Sequence, residues 1–177
     1  MNRLALTVAF VILALVPIRA DDKPKRPETR EGLSDAMSEI LDAQKSKDEK
    51  KVSALCKVLV LPKYDAWFKS VFAPDKSAPL IAEYAKFVDK IPTDIAKGLA
   101  DEVIKKDRTE IRVFKVELAH DVEATPSVQI AIANMKRKVP LYKVRFIAGK
   151  ESDGYTVWSF VYVDNEFRYV GKMEKIQ

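Results

Sequence analysis

The chain has 177 residues, with Lys+Arg 31, Asp+Glu 26 and a formal net charge of +5, a length that suits one domain with a sizeable core. A single histidine and a single cysteine exclude an intramolecular disulfide and the usual zinc patterns, which need several convergent His or Cys ligands. With only five glycines there is no glycine-rich phosphate loop.

Residues 1–20 read as a secretory signal peptide: Arg3 supplies a positive start, Leu4 to Val16 is an uncharged apolar run, Pro17 breaks it, and Ile18-Arg19-Ala20 offers a cleavage site. The rival is an uncleaved anchor, but the run is shorter than the about 20 apolar residues a spanning helix requires. The expectation is therefore a secreted or periplasmic protein without stable membrane insertion. Cleavage would remove Arg3 and Arg19 from the 31 cationic residues and no acidic one, leaving 29 against 26, a net of about +3. That balance argues against a nucleic-acid partner, whose affinity depends on concentrated positive charge. Cys56 has no partner for a disulfide, so an exported fold must rest on packing alone.

Residues 21–32, DDKPKRPETREG, hold two prolines and no large apolar side chain and read as a disordered spacer. The expected single α+β domain covers 33–177. Leu33, Met37, Ile40 and Leu41 recur at helical spacing with Ser34 as N-cap; SKDEKK interrupts the stripe before Val52, Leu55, Cys56, Leu59 and Val60 resume it, as one long bent helix or two. A short helix over Tyr64–Phe72 ends before Pro74. The next starts with Pro79 in its first turn and stops at Pro92, and a further one, capped by Thr93 or Asp94, carries Ile95, Leu99 and Val103. At Thr109 the period shifts towards two: EIRVFKVEL (110–118) predicts a strand, TPSVQIAIANMKRK (125–138) a helix with Thr125 as cap, and the remainder three consecutive strands joined by GKESDG and by Asp164-Asn165.

A two-residue turn at Asp164-Asn165 pairs Val163 with Glu166, Tyr162 with Phe167, Phe160 with Tyr169 and Trp158 with Gly171. The five aromatic residues Trp158, Phe160, Tyr162, Phe167 and Tyr169 then share one face, with Gly171 leaving room for the indole. Tyr142, Val144 and Phe146 join them. Val157, Ser159, Val161, Arg168, Val170 and Lys172 take the other face, joined by Lys143 and Arg145. Each aromatic cross-strand pair adds about 0.5–1.5 kcal/mol beyond its buried area. The rings read first as core beneath helices, with a pocket at its edge; three tyrosine hydroxyls on that face need partners.

This hairpin, SFVYVDNEFRYVGKM, is similar to a closing hairpin of exported bacterial proteins in the nuclear-transport-factor-two-like (cystatin-like) α+β superfamily, and the element order over residues 33–177 resembles that superfamily too. The resemblance implies helices lying in the concavity of a curved antiparallel sheet. It carries over no catalytic residue, because no acidic base or Tyr/Asp oxyanion pair aligns, and the scaffold hosts unrelated activities.

His120, in AHDVEA beside Asp121 and Glu123, is the one candidate general base; the competing reading is a solvated loop histidine. Cys56 on its apolar stripe reads as a small buried hydrophobe rather than a reactive thiolate. Lys136-Arg137-Lys138 closes the predicted helix, where cations complement the dipole; with Lys143, Arg145, Arg168 and Lys172 it could instead form a basic surface for anionic envelope material. No metal site and no cofactor are expected. The sequence thus points to a non-catalytic module that binds a small apolar ligand or a protein partner, with Tyr142, Trp158, Tyr162 and Tyr169 as ligand-binding candidates. A cofactor-free lyase, isomerase or hydrolase using His120 is the alternative.

Overall fold

A computed structural model of the chain describes residues 26–149 and 154–175. The expected signal peptide, the first part of the spacer and most of the GKESDG turn lie outside the described residues. The described residues form six α-helices and one four-stranded antiparallel sheet, an α+β fold.

The first helix, α1 (Arg30–Lys45), starts earlier than its apolar stripe. Thr29, not Ser34, is the N-cap, its hydroxyl accepting the Gly32 amide at 3.1 Å. Residues 26–32, expected within a disordered spacer, are placed against the domain. The Tyr162 hydroxyl donates to the Arg26 carbonyl, and the Arg26 guanidinium pairs with Glu39 and Glu166. Gly32 permits this close approach, since a Cβ there would lie 2.2 Å from the Pro27 carbonyl oxygen. The two apolar stripes on either side of SKDEKK belong to two helices: Lys47 takes a left-handed conformation, and Asp48 caps α2 (Glu49–Val58) by accepting the Lys51 amide at 3.0 Å.

Helix α3 (Tyr64–Val71) buries Trp67, Phe68 and Val71. Helix α4 (Pro74–Ala85) departs from the proline pattern. It begins at Pro74, where the missing N–H costs nothing, and carries Pro79 inside it rather than in its first turn. A 3₁₀ turn (Val88–Lys90) leads into α5 (Ile91–Gly98), which starts ahead of Pro92 and runs on as a π-helical turn (Leu99–Ile104) with Leu99 and Val103 buried.

Strand β1 (Glu110–Val116) stops two residues short of expectation because the amides of Glu117 and Leu118 donate to the Asp121 carboxylate instead of a ladder. Helix α6 (Pro126–Asn134) ends before the basic triplet. Met135 turns extended and bridges Phe72, the amides of Lys136 and Arg137 donate to the Val71 carbonyl, and the Lys138 ammonium reaches back to the Ile132 carbonyl.

Strands β2 (Leu141–Ile147), β3 (Tyr155–Val163) and β4 (Glu166–Tyr169) complete the sheet in the order β1-β2-β3-β4. Asp164 and Asn165 both have positive φ, and the hairpin register is the expected one: Phe160 opposite Tyr169, Tyr162 opposite Phe167, Val163 opposite Glu166. The outer edge of β4 is covered: Val60 bridges Tyr169, whose amide donates to the Leu59 carbonyl at 2.7 Å. Ser159, Phe160 and Val161 are consecutive and almost fully buried, as are Leu141 to Val144. Because successive strand residues point to opposite faces, the centre of the sheet is covered on both sides.

One expectation about the faces fails. Between Tyr142 and Val144 the ladder slips, so that two steps along β2 match the three steps from Phe160 back to Val157 on β3. This bulge exchanges the faces of the start of β3. Val157 and Tyr155 join the aromatic face, with the Tyr155 ring stacked on Phe146 at 6.4 Å. Trp158 moves to the other face, beside Lys143 and Phe114. The ring that fills the space at Gly171 is therefore Phe87, not the indole; a Cβ on Gly171 would lie 2.9 Å from its Cζ.

Candidate functional site

Helix α4, the 3₁₀ turn and α5 stand off from the start of β3 and the chain after β4, leaving a cleft of about 500 Å³. The bulge and the hairpin geometry create it. The last backbone bonds between β3 and the segment after β4 run from Ser159 to the Gly171 carbonyl and from Val170 to the Ser159 carbonyl. Beyond them, residues 155–157 pair with β2 alone among the described residues, and their free edge opens on the cleft. Apolar walls come from Phe68, Leu80, Phe87, Ile91, Ile95, Val157 and Met173, the composition expected of a small-molecule site.

Polar groups line it as well. Tyr155 and Tyr169 are each half-buried, line the cleft, and make no hydrogen bond through their hydroxyls to any described residue. Burial pushes the Tyr169 hydroxyl up to about 12, helped by the charges of Tyr155 and Asp94. Tyr155 is raised by burial and by the carboxylates of Glu102 and Asp94. Both phenols therefore stay protonated at neutral pH, able to donate and accept. Asp94 lies in the first turn of α5 and also lines the cleft. Gly98 accommodates Tyr155, since a Cβ there would fall 2.2 Å from the phenolic oxygen.

Of the four tyrosine and tryptophan candidates, Tyr169 and Trp158 line the cleft. Tyr142 and Tyr162 stand away from it with their hydroxyls turned to the backbone of Glu28, at 3.5 Å, and of Arg26. Linear reading missed Asp94, Tyr155 and Phe87. Nothing in their spacing links them; the only signal was the aromatic position of Tyr155, concealed by the bulge.

His120 is exposed in the turn after β1. Its neighbouring carboxylates are engaged elsewhere: Asp121 accepts the Glu117 and Leu118 amides, at 2.8 and 3.0 Å, which hold its carboxyl below the usual range. Glu123 pairs with Lys143.

The basic residues are divided. Lys143, expected on a solvated face, is 4% exposed, with its ammonium 4.7 Å from the Phe114 ring centre and 5.3 Å from that of Trp158. The Arg168 guanidinium donates to the Val58 carbonyl at the end of α2. Cys56 is fully buried and its thiol pushed up to about 11. Among the described residues, no group of three or more His, Cys, Asp or Glu is arranged to hold a metal ion, and no helix is long and apolar enough to cross a membrane.

No family model, no curated protein and no solved structure matches the chain.

Proposed function

We propose that this chain is an exported, non-catalytic binding module that holds a small, largely apolar ligand in the cleft between α4–α5 and the free edge of β3. The observation that carries this reading is the pairing of a roomy, largely apolar cleft with two lining tyrosine hydroxyls that have no hydrogen-bond partner among the described residues. Export rests on the leader-like pattern of residues 1–20. Kinship with the nuclear-transport-factor-two-like superfamily belongs to the same proposal, supported by an element order in which five helices precede β1 and a sixth separates β1 from β2–β4. The rival in which His120 acts as a base draws little support, since both nearby carboxylates serve other groups.

The test is saturable uptake of a neutral fluorescent probe such as N-phenylnaphthylamine by the purified protein. Glu83 is a half-buried lining residue of α4, and Glu83→Trp sets an indole in the cleft. Uptake at one site that falls at least several-fold in this variant supports the reading; absence of saturable uptake by the folded protein overturns it.

A further inference from the structure

The charges around the cleft are unequally matched. Glu83 is paired with Lys86 at 3.0 Å, and Lys172 with Glu174 at 3.9 Å. Asp94 has no ion pair and no hydrogen bond with any described residue, although Lys97 lies one turn further along α5. The Lys97 ammonium is instead held by Asp101 at 2.5 Å. Asp94 is the anion whose field reaches both Tyr155 and Tyr169. Lys175, an exposed lining residue, carries no ion pair with any described residue either, but it is not among the charges acting on those hydroxyls.

Three aromatic rings border the same region. Phe87 packs edge-on to Tyr169 with centroids 6.3 Å apart, and Tyr155 is stacked on Phe146 by one face. All three of Phe87, Tyr155 and Tyr169 line the cleft. Ring faces attract cations through their quadrupole, and phenolic oxygens accept N–H bonds. An unpaired carboxylate among such rings suits one class of ligand head group better than others. A ligand carboxylate would be repelled by Asp94. A neutral hydrocarbon lying against the two half-buried hydroxyls would leave them without partners, which is costly.

We propose that the cleft selects organic ammonium compounds, with the cationic nitrogen beside Asp94, Tyr155 and Tyr169 and the apolar remainder against Phe87, Ile91 and Val157. This inference rests on the reading of the cleft as a ligand site and names the ligand's charge. Recognition needs no proton transfer and no covalent step, so quaternary ammonium, which has no N–H, still binds through the carboxylate and the rings.

The experiment compares three probes on the purified protein by calorimetry or by ligand-observed NMR: benzyltrimethylammonium, its uncharged isostere neopentylbenzene, and phenylacetate. The ammonium is expected to bind about tenfold or more tightly than the isostere, and Asp94→Asn to remove about that factor. Because Asp94 is exposed, the variant keeps the fold, which circular dichroism checks. Equal affinity for the charged and uncharged probes, insensitive to Asp94→Asn, overturns the ammonium proposal while leaving the cleft a ligand site. Preference for phenylacetate overturns it too, in favour of the rim lysines. Failure of all three probes, together with failure of the neutral fluorescent probe, overturns both readings.

Discussion

The hydroxyl of Tyr84 donates to the carbonyl of Tyr169 at 3.0 Å and accepts the amide of Leu61 at 3.0 Å. One buried side chain of α4 thereby ties the helical half to the chain after α2 and to the last strand. Its ring lies among Tyr64, Phe68 and Phe87, with centroids 4.9 to 5.7 Å away. Tyr84→Phe keeps the ring but leaves the Leu61 amide and the Tyr169 carbonyl short of a partner, and a loss of about 1–3 kcal/mol is expected. Urea unfolding monitored by circular dichroism measures it; an unchanged midpoint would show that the hydroxyl joins nothing of consequence.

Lys143 and Glu123 form a pair of unequal members, with side chains 6% and 36% exposed. Glu123→Ala leaves a buried ammonium with only the Glu123 carbonyl, at 2.9 Å, and the two ring faces. Lys143→Met removes the charge and keeps the length of the side chain. The first is expected to destabilise by about 1–3 kcal/mol and the second by less, since an unpaired buried charge costs more than its replacement by an apolar group. Thermal unfolding of both variants checks the order.

Gly171 has φ of +77° and faces the Phe87 ring at the back of the cleft. Gly171→Ala must strain the backbone and displace the ring, costing about 1–2 kcal/mol from the left-handed conformation alone. It should also weaken uptake of the neutral probe. Stability loss without any effect on uptake would detach Phe87 from ligand binding.

Burial pushes Tyr84, Tyr142 and Tyr169 up to about 12 from their ordinary 10. In the unfolded chain these phenols ionise near 10, so between about 10 and 12 the folded state binds more protons than the unfolded one. Their contribution is fully present below pH 10 and is lost as pH rises through 12. The unfolding midpoint in urea should fall across that window, with late-titrating phenolate absorbance; a midpoint constant across it would contradict the burial of these rings.

Cys56 is protonated and sealed inside α2. A thiol reagent at neutral pH is expected to leave the native protein unmodified and to label it at once in denaturant. Rapid labelling of the native form would place the thiol at the surface.

The amphipathic stripes of α1 and α2 and the Asp164-Asn165 hairpin were legible in the residues because each arises from local geometry. Helical spacing groups Leu33, Met37 and Ile40, and a turn of known length sets which residues of β3 and β4 face each other. Helix limits were less legible where polar first turns and proline compete. Thr29 caps α1 ahead of any apolar residue, and α4 carries Pro79 in its interior because the burial of Leu80 and Tyr84 outweighs a missing backbone bond.

The cleft belongs to tertiary structure. A single extra residue in β3 turns Trp158 towards Lys143 and Tyr155 towards Phe146, and nothing in the alternation of side chains announces where such a slip will fall. The same slip sets Tyr155 against Gly98 at the end of α5, and Asp94, Tyr155 and Tyr169, dispersed along the chain, come to border one space. Local sequence determines which residues can be helix, strand and turn; which polar groups are left facing one another is decided by how those elements pack.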